Sequence, residues 1–248
     1  MFFPRIELFL RRLEVGGWRT TSCGLLALVL LAVGYQSARL GMTGLISELG
    51  QLEVDRWTAS SRPRDMRELT RVARYYTDSL DYWPDNPWAL ERLGALDLAR
   101  MRLSTIPGQA LAYTWAARLR YREALRQRPT SPYLWANLAL SKLYLDQIDS
   151  EFFTALRNAN ELGPWEPATQ QTVLFLGLAA WEKLDPGLRQ MVSGVLERGA
   201  VHNSAKMLEI VKSFGRLELI CGMKDYHIGG SAACRKSDEA SSPGARKP

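Results

Sequence analysis

The residues able to do chemistry in this chain are few and scattered. Two histidines, His202 and His227, and three cysteines, Cys23, Cys221 and Cys234, are its soft ligands, too few for zinc fingers, ribbons or multi-histidine metal centres. Carboxylates spaced for general acid and base work occur as Asp78 with Asp81 and Glu161 with Glu166. Both pairs fall where helices end and acids are common, so a solvated surface is the simpler account. His202 runs into Asn203-Ser204, which suits a helix cap better than a catalytic base. A phosphate cradle needs backbone amides plus a Lys to meet the charge, yet Gly194-Val-Leu-Glu-Arg-Gly199 continues with Ala200-Val201. No His-Glu-x-x-His, Gly-x-Ser-x-Gly or Cys-x-x-Cys-His occurs, and no Gly-x-Gly-x-x-Gly follows a strand. The sequence therefore assigns no catalytic, cofactor-binding or metal-binding residue, and it reads as a non-enzyme.

Three other groups of residues could bind or crosslink. Cys221 and Cys234 enclose a turn-rich loop containing His227. In an oxidising compartment their disulfide would contribute about 3 kcal/mol in the chain-entropy view; two free thiols and a Cys/His metal site are the alternatives. Arg118, Arg122 and Arg126 recur at intervals of four, and Arg64, Arg67, Arg71 and Arg74 form a second row. Such guanidinium rows either grip phosphate or carboxylate groups, as on an anionic polysaccharide, or form a solvated face beside acids. Among eight Trp, the residues Trp88, Trp115, Trp135 and Trp181 lie within helical segments, where a place in the core competes with stacking on sugar rings.

Composition narrows the class without choosing the partner. The chain has 248 residues, 46% of them hydrophobic and 23% charged, enough for one globular domain and an appendage. Its net charge of +6 acts through a screened field that suits phosphate, an anionic membrane surface or an acidic polysaccharide alike. We read no nucleic-acid partner into it, because its basic residues are spread among acids.

The elements that must position these residues begin with a membrane anchor. Nineteen residues without a formal charge lie between Arg19 and Arg39, and about 20 apolar residues span a bilayer core. Trp18 and Tyr35 flank the segment as interfacial aromatics do, and Gln36-Ser37-Ala38 makes a poor cleavage site. We assign residues 1–19 to a basic cytoplasmic leader and 20–40 to a transmembrane helix. Arg5, Arg11, Arg12 and Arg19 then keep the amino terminus in the cytoplasm and place the rest outside, in the periplasm if the host is Gram-negative.

Residues 41–62 form a juxtamembrane helix and linker. Met42, Leu45, Leu49 and Leu52 make an apolar seam that either docks on the chain's own next domain or joins two copies as a homodimer. Trp57 to Pro63 breaks the pattern, with Ser caps before Pro63. From 63 to 220 the chain reads as helix after helix. Met66, Leu69, Ala73, Tyr76 and Leu80 face inward on the first, and Leu111, Thr114, Ala117, Tyr121 and Leu125 on the third. Helices are predicted over about 88–103, 108–128, 133–145, 149–162, 167–184, 187–199 and 203–220, divided by Gly and Pro. Residues 221–248 form a Cys-containing loop and a polar tail.

Spacing within this region repeats. Tyr76-x3-Leu80-x3-Pro84-x2-Pro87 matches Tyr121-x3-Leu125-x3-Pro129-x2-Pro132 with a 45-residue shift, as stacked helical hairpins would. Ala124-Leu125-x3-Pro129-x2-Pro132-Tyr-Leu-Trp135-Ala-Asn-Leu138-Ala139 resembles the tetratricopeptide repeat family at the passage between repeats. That resemblance implies close helix approach at the large-small pairs Leu93-Gly94 and Leu138-Ala139, over two to four degenerate repeats within about residues 63–200. The 45-residue first unit departs from the family's 34-residue register.

The anchor, the length of the repeat region and the run from Arg128 to Leu140 also resemble the VpsP-like accessory proteins of bacterial exopolysaccharide biosynthesis. This implies an inner-membrane location and protein partners in a polysaccharide synthesis or export complex. The expected fold is all-α, one transmembrane helix followed by a helical-hairpin repeat domain. The expected function is a scaffold that needs no cofactor, in biofilm-matrix production. An anionic-glycan-binding module using the Arg rows and a glycan-modifying enzyme are the alternatives.

Overall fold

The computed structural model describes Pro4–Ser60 and residues 65–221, with side chains from Ser22 to Trp57 and from Asp65 to Cys221. The described residues form helices and no strand, so the chain is all-α. Helix α1 runs unbroken from Pro4 to Ser60. Its Ser22–Trp57 portion is apolar and long enough to cross a membrane. The pattern break expected at Trp57 does not end this helix. Helix α2, Met66–Tyr82, opens on Asp65, whose carboxylate accepts from the Glu68 amide at 2.7 Å; the caps expected from Ser lie outside the described residues.

Two compact units divide the chain, and the division falls within α2. One joins α1 to Arg74–Pro84; the other takes α2 up to Ala73 and everything from Asp85 onward. In the first unit, Thr43, Gly50 and Trp57 lie seven residues apart. The ring of Tyr76 lies 3.0 Å from where a Cβ on Gly50 would stand, so a larger residue there would press on the ring.

The second unit is built from hairpins. Helices α3 (Pro87–Leu103) and α4 (Pro107–Gln127) pack together, as do α5 (Pro132–Tyr144) with α6 (Ser150–Leu162) and α7 (Pro167–Ala179) with α8 (Pro186–Ser213). Contacts of α4 with α5, α5 with α7 and α6 with α7 stack the three hairpins in chain order. The prolines that divide the helices do so by opening the following one. Pro87, Pro107, Pro132, Pro167 and Pro186 each stand in the first turn, where a missing N–H leaves no bond unmade. Asn86, Ser131, Asp149 and Asp185 cap four of the helices with side-chain acceptors.

Near the end the expected bounds shift. The helix expected over 167–184 stops at Ala179 and gives way to a 3-10 turn, Trp181–Lys183. The two helices expected over 187–199 and 203–220 follow one another within α8, where Asn203 leaves helical geometry and kinks the chain; the second run stops at Ser213 rather than 220. Met207 folds over Gly199 across that break, its sulfur 3.0 Å from where a Cβ would stand. The chain leaves α8 through Gly215, whose φ of +67° suits glycine, and ends in the short α9, Glu218–Cys221.

Candidate functional site

The hairpins close where small residues face large ones. Leu93 and Gly94 are buried in α3, and a Cβ on Gly94 would stand 2.7 Å from the ring of Tyr121 on α4. Leu138 and Ala139 occupy the matching place in α5 and are fully buried. Trp135, one turn earlier, is half-buried and donates its indole N–H to the Pro129 carbonyl at 2.7 Å. Tyr121 has no solvent exposure, and its hydroxyl meets no hydrogen-bond partner among the described residues. Burial pushes that hydroxyl's pKa upward.

Two buried charges, absent from the candidates named above, stand at one position of two successive hairpins. Asp97 lies ten residues after Pro87, and Lys142 ten residues after Pro132. Asp97 is 2% exposed and pairs with Arg100 at 3.1 Å and with Arg120. The same guanidiniums reach the carbonyls of Leu69 and Leu93, tying three helices to one carboxylate. Burial nevertheless outweighs both arginines and raises the Asp97 pKa.

Lys142 is wholly buried and donates to Asp149 at 2.9 Å and to Glu151 at 2.7 Å. Burial acts to raise both carboxyls, but in each case hydrogen bonds and the Lys142 charge, with Arg118 and Arg122 at Glu151, win and lower the pKa. Asp149 also caps α6 by accepting from Phe152 at 3.1 Å. One buried ammonium therefore fixes where α6 starts. The spacing was a usable signal, since residues 97 and 142 share the 45-residue shift of the repeat.

This cluster reaches into one arginine row. Arg118 sits 2.8 Å and Arg122 3.2 Å from Glu151, while Arg126 pairs with Glu123 at 2.8 Å. Each of the three has a carboxylate within reach, but Arg118 and Arg122 share Glu151 with Lys142, and Arg122 and Arg126 stay exposed. Arg67, Arg71 and Arg74 are exposed on α2, and Arg64 lies outside the described residues.

The remaining candidates stand apart. Asp78, Asp81 and Glu161 are exposed; Glu166, also exposed, accepts from the Tyr133 hydroxyl at 2.5 Å. His202 is exposed beside the α8 break, and His227 lies outside the described residues. No cluster of three metal-ligating side chains occurs among the described residues. Cys23 is free and exposed. Cys221 is disulfide-bonded, and Cys234, its expected partner, lies outside the described residues. An open groove of about 480 Å³ on α8 is bordered by Asn160, Gln190, Met191 and Glu197. Its Arg198 is held by the Asn160 side chain at 2.7 Å and the Pro164 carbonyl at 3.3 Å.

Several residues expected in the core are at the surface. Trp88 is 58% exposed, because Arg128 rather than a core neighbour covers its ring at 3.6 Å and is itself anchored to Glu91 at 2.8 Å. Leu111 and Trp115 on α4 are also exposed, and Trp181 is half-buried between Arg189 and Arg216. Leu111, Trp115 and Leu119 recur at intervals of four on α4 and are all exposed, the Trp115 ring with the Arg118 guanidinium over it at 5.1 Å. The inward face of α4 is Thr114, Ala117, Tyr121, Ala124 and Leu125, so the true stripe excludes Leu111. Comparison of the sequence with protein-family models and with curated proteins finds no match.

Proposed function

We propose that this chain is a non-enzymatic, membrane-anchored scaffold whose hairpin domain binds partner proteins. The apolar row on α4 carries the reading: Leu111, Trp115 and Leu119 are 52%, 39% and 58% exposed on one helix face. An apolar row of that kind is what a partner helix or an extended apolar segment covers. Buried charges elsewhere in the domain are paired to each other, which suits a framework more than a reaction centre. The tetratricopeptide-like order of the hairpins supports the same reading, since stacked hairpins expose long surfaces to proteins.

The anchor lies in α1, with Arg5, Arg11, Arg12 and Arg19 holding the amino terminus in the cytoplasm and the hairpins outside it, in the periplasm of a bacterial inner membrane. The VpsP-like resemblance assigns the assembly to exopolysaccharide synthesis or export.

An in-frame deletion in the native host tests this, with extracellular polysaccharide yield as the readout. Yield should fall in the deletion, return with the full chain, and stay low with a chain lacking residues 1–40 or with the double variant Leu111→Asp/Leu119→Asp. Unchanged yield in the deletion contradicts the pathway. Full rescue by both altered chains contradicts the anchored scaffold.

A further inference from the structure

Helix α1 has two faces, and the structure covers one. Within the first unit, Arg39 donates to the Tyr82 carbonyl at 2.7 Å, Thr43 is buried, and Gly50 lies against the Tyr76 ring. The other face carries Met42, Leu45, Leu49 and Leu52, all exposed, so within the first unit the Arg74–Pro84 segment does not cover this seam. Its spacing of three, four and three continues back through Ala38, Tyr35, Leu31 and Leu28, in a stretch where every described residue from Ser22 to Ala38 is exposed, so there the spacing alone marks the seam. Eight seam positions thus run over 25 residues, roughly 37 Å of helix at 1.5 Å per residue. That is three and a half heptads, twice what the outer segment shows alone.

We propose that α1 pairs with α1 of a second copy of this chain, in parallel and in register, along the seam from Leu28 to Leu52. A repeat of 3.5 residues stays on one face only if the helix supercoils around another helix of the same pitch. A second copy meets that demand automatically. Anchored in the same membrane, it presents the same residue at the same depth and orientation, so two-fold symmetry sets Leu45 against Leu45 and Leu49 against Leu49. Gly34 and Gly41 flank the seam seven residues apart with nothing within 4 Å of where a Cβ would stand, which lets two backbones approach closely. Beyond the membrane segment the register brings Glu48 near Glu53 of the second copy. Arg56, 3.3 Å from Glu53 of its own chain, offsets part of that repulsion, but at the next seam position it would face Arg56 of the second copy, so the seam ends at Leu52. The inference rests on α1 crossing a membrane, as proposed above.

The test uses the purified full chain in phosphatidylcholine vesicles, where no other protein is present. A photo-crosslinking residue is placed singly at Leu45, Leu49 or Leu52 on the seam, and at Gly44 or Gln51 away from it. Adducts of twice the chain mass should form at the seam positions and be at least tenfold weaker at the other two. The double variant Leu45→Asp/Leu49→Asp should reduce the Leu52 adduct about tenfold with unchanged helical content. Energy transfer between wild-type copies labelled at the amino terminus should persist when lipid is added in excess. Equal adducts at all positions, no adducts, or transfer that vanishes on dilution overturns the pairing. Alkaline extraction separates the two failures: a chain released from the vesicles refutes the anchor, whereas a retained but uncrosslinked chain refutes only the dimer.

Discussion

Replacing Gly94 by Ala tests the hairpin account most sharply, because the structure sets both the sign and the size. The added methyl would stand 2.7, 2.8 and 3.1 Å from three ring carbons of Tyr121, against about 3.5–4.0 Å for an unstrained carbon contact. The ring must retreat by roughly 0.8 Å to reach that range, yet it is fully buried with Ala117 and Ala124 on the same helix face. Overpacking of that kind costs about 1–3 kcal/mol, while alanine in place of glycine inside a helix returns about 0.5–1 kcal/mol. The net expectation is a loss centred on about 1 kcal/mol and at most about 2.5 kcal/mol, or about 2–4 °C in Tm at the centre for a domain of this size. Thermal unfolding of the full chain in detergent, followed by circular dichroism, measures it. Adding Tyr121→Leu should recover part of the loss, so that the double variant is less destabilised than the two single losses summed. An unchanged or higher Tm for Gly94→Ala, or strict additivity with Tyr121→Leu, would refute the reasoning.

Two further outcomes follow from the buried polar groups. Tyr121→Phe removes a hydroxyl that lacks a partner among the described residues, so Tm should stay level or rise by an amount worth up to about 1 kcal/mol; a clear fall would mean the hydroxyl is bonded. Glu151 and Asp149 have lowered pKa values, so their stabilisation is present above their ordinary values of 4.5 and 3.8 and is lost as pH falls through the lower folded values. The wild-type Tm should therefore drop between pH 5 and pH 3, and Glu151→Gln should start lower at pH 7 and drop less. Asp97 acts oppositely, because a raised pKa makes its ionisation costly as pH climbs above 3.8. Asp97→Asn should accordingly steepen the acid limb, and a flatter limb would contradict the assignment.

The helices and their order were legible because proline and capping residues punctuate the chain every twenty residues or so. What pattern alone left open was how the punctuation works: Pro87 and Pro132 begin helices, and Asp65 rather than a Ser caps α2. Periodicity also placed Tyr121 and Ala117 inward correctly but enrolled Leu111, since a stripe read at three and four includes residues at its edge. Trp88 misled by size, as a large ring can be covered by an arginine instead of a core. Lys142 and Asp97 were missed because charged residues in a helix are ordinarily solvated, and only their partners on neighbouring helices make burial tolerable. For α1, the seam was visible in the sequence, but which face meets α2 depends on Gly50 and Thr43, whose small size carries no periodic signal.

The scaffold reading meets its most direct test at the α4 row in native-host membranes. A photo-crosslinking residue at Leu111, Trp115 or Leu119 in the full chain should give a discrete adduct with another protein. The same residue at exposed Arg157 on α6 should give none, and the adducts should vanish when residues 1–40 are removed. A folded, membrane-borne chain that forms no discrete adduct along the α4 row, or the same adducts at Arg157, would contradict the account.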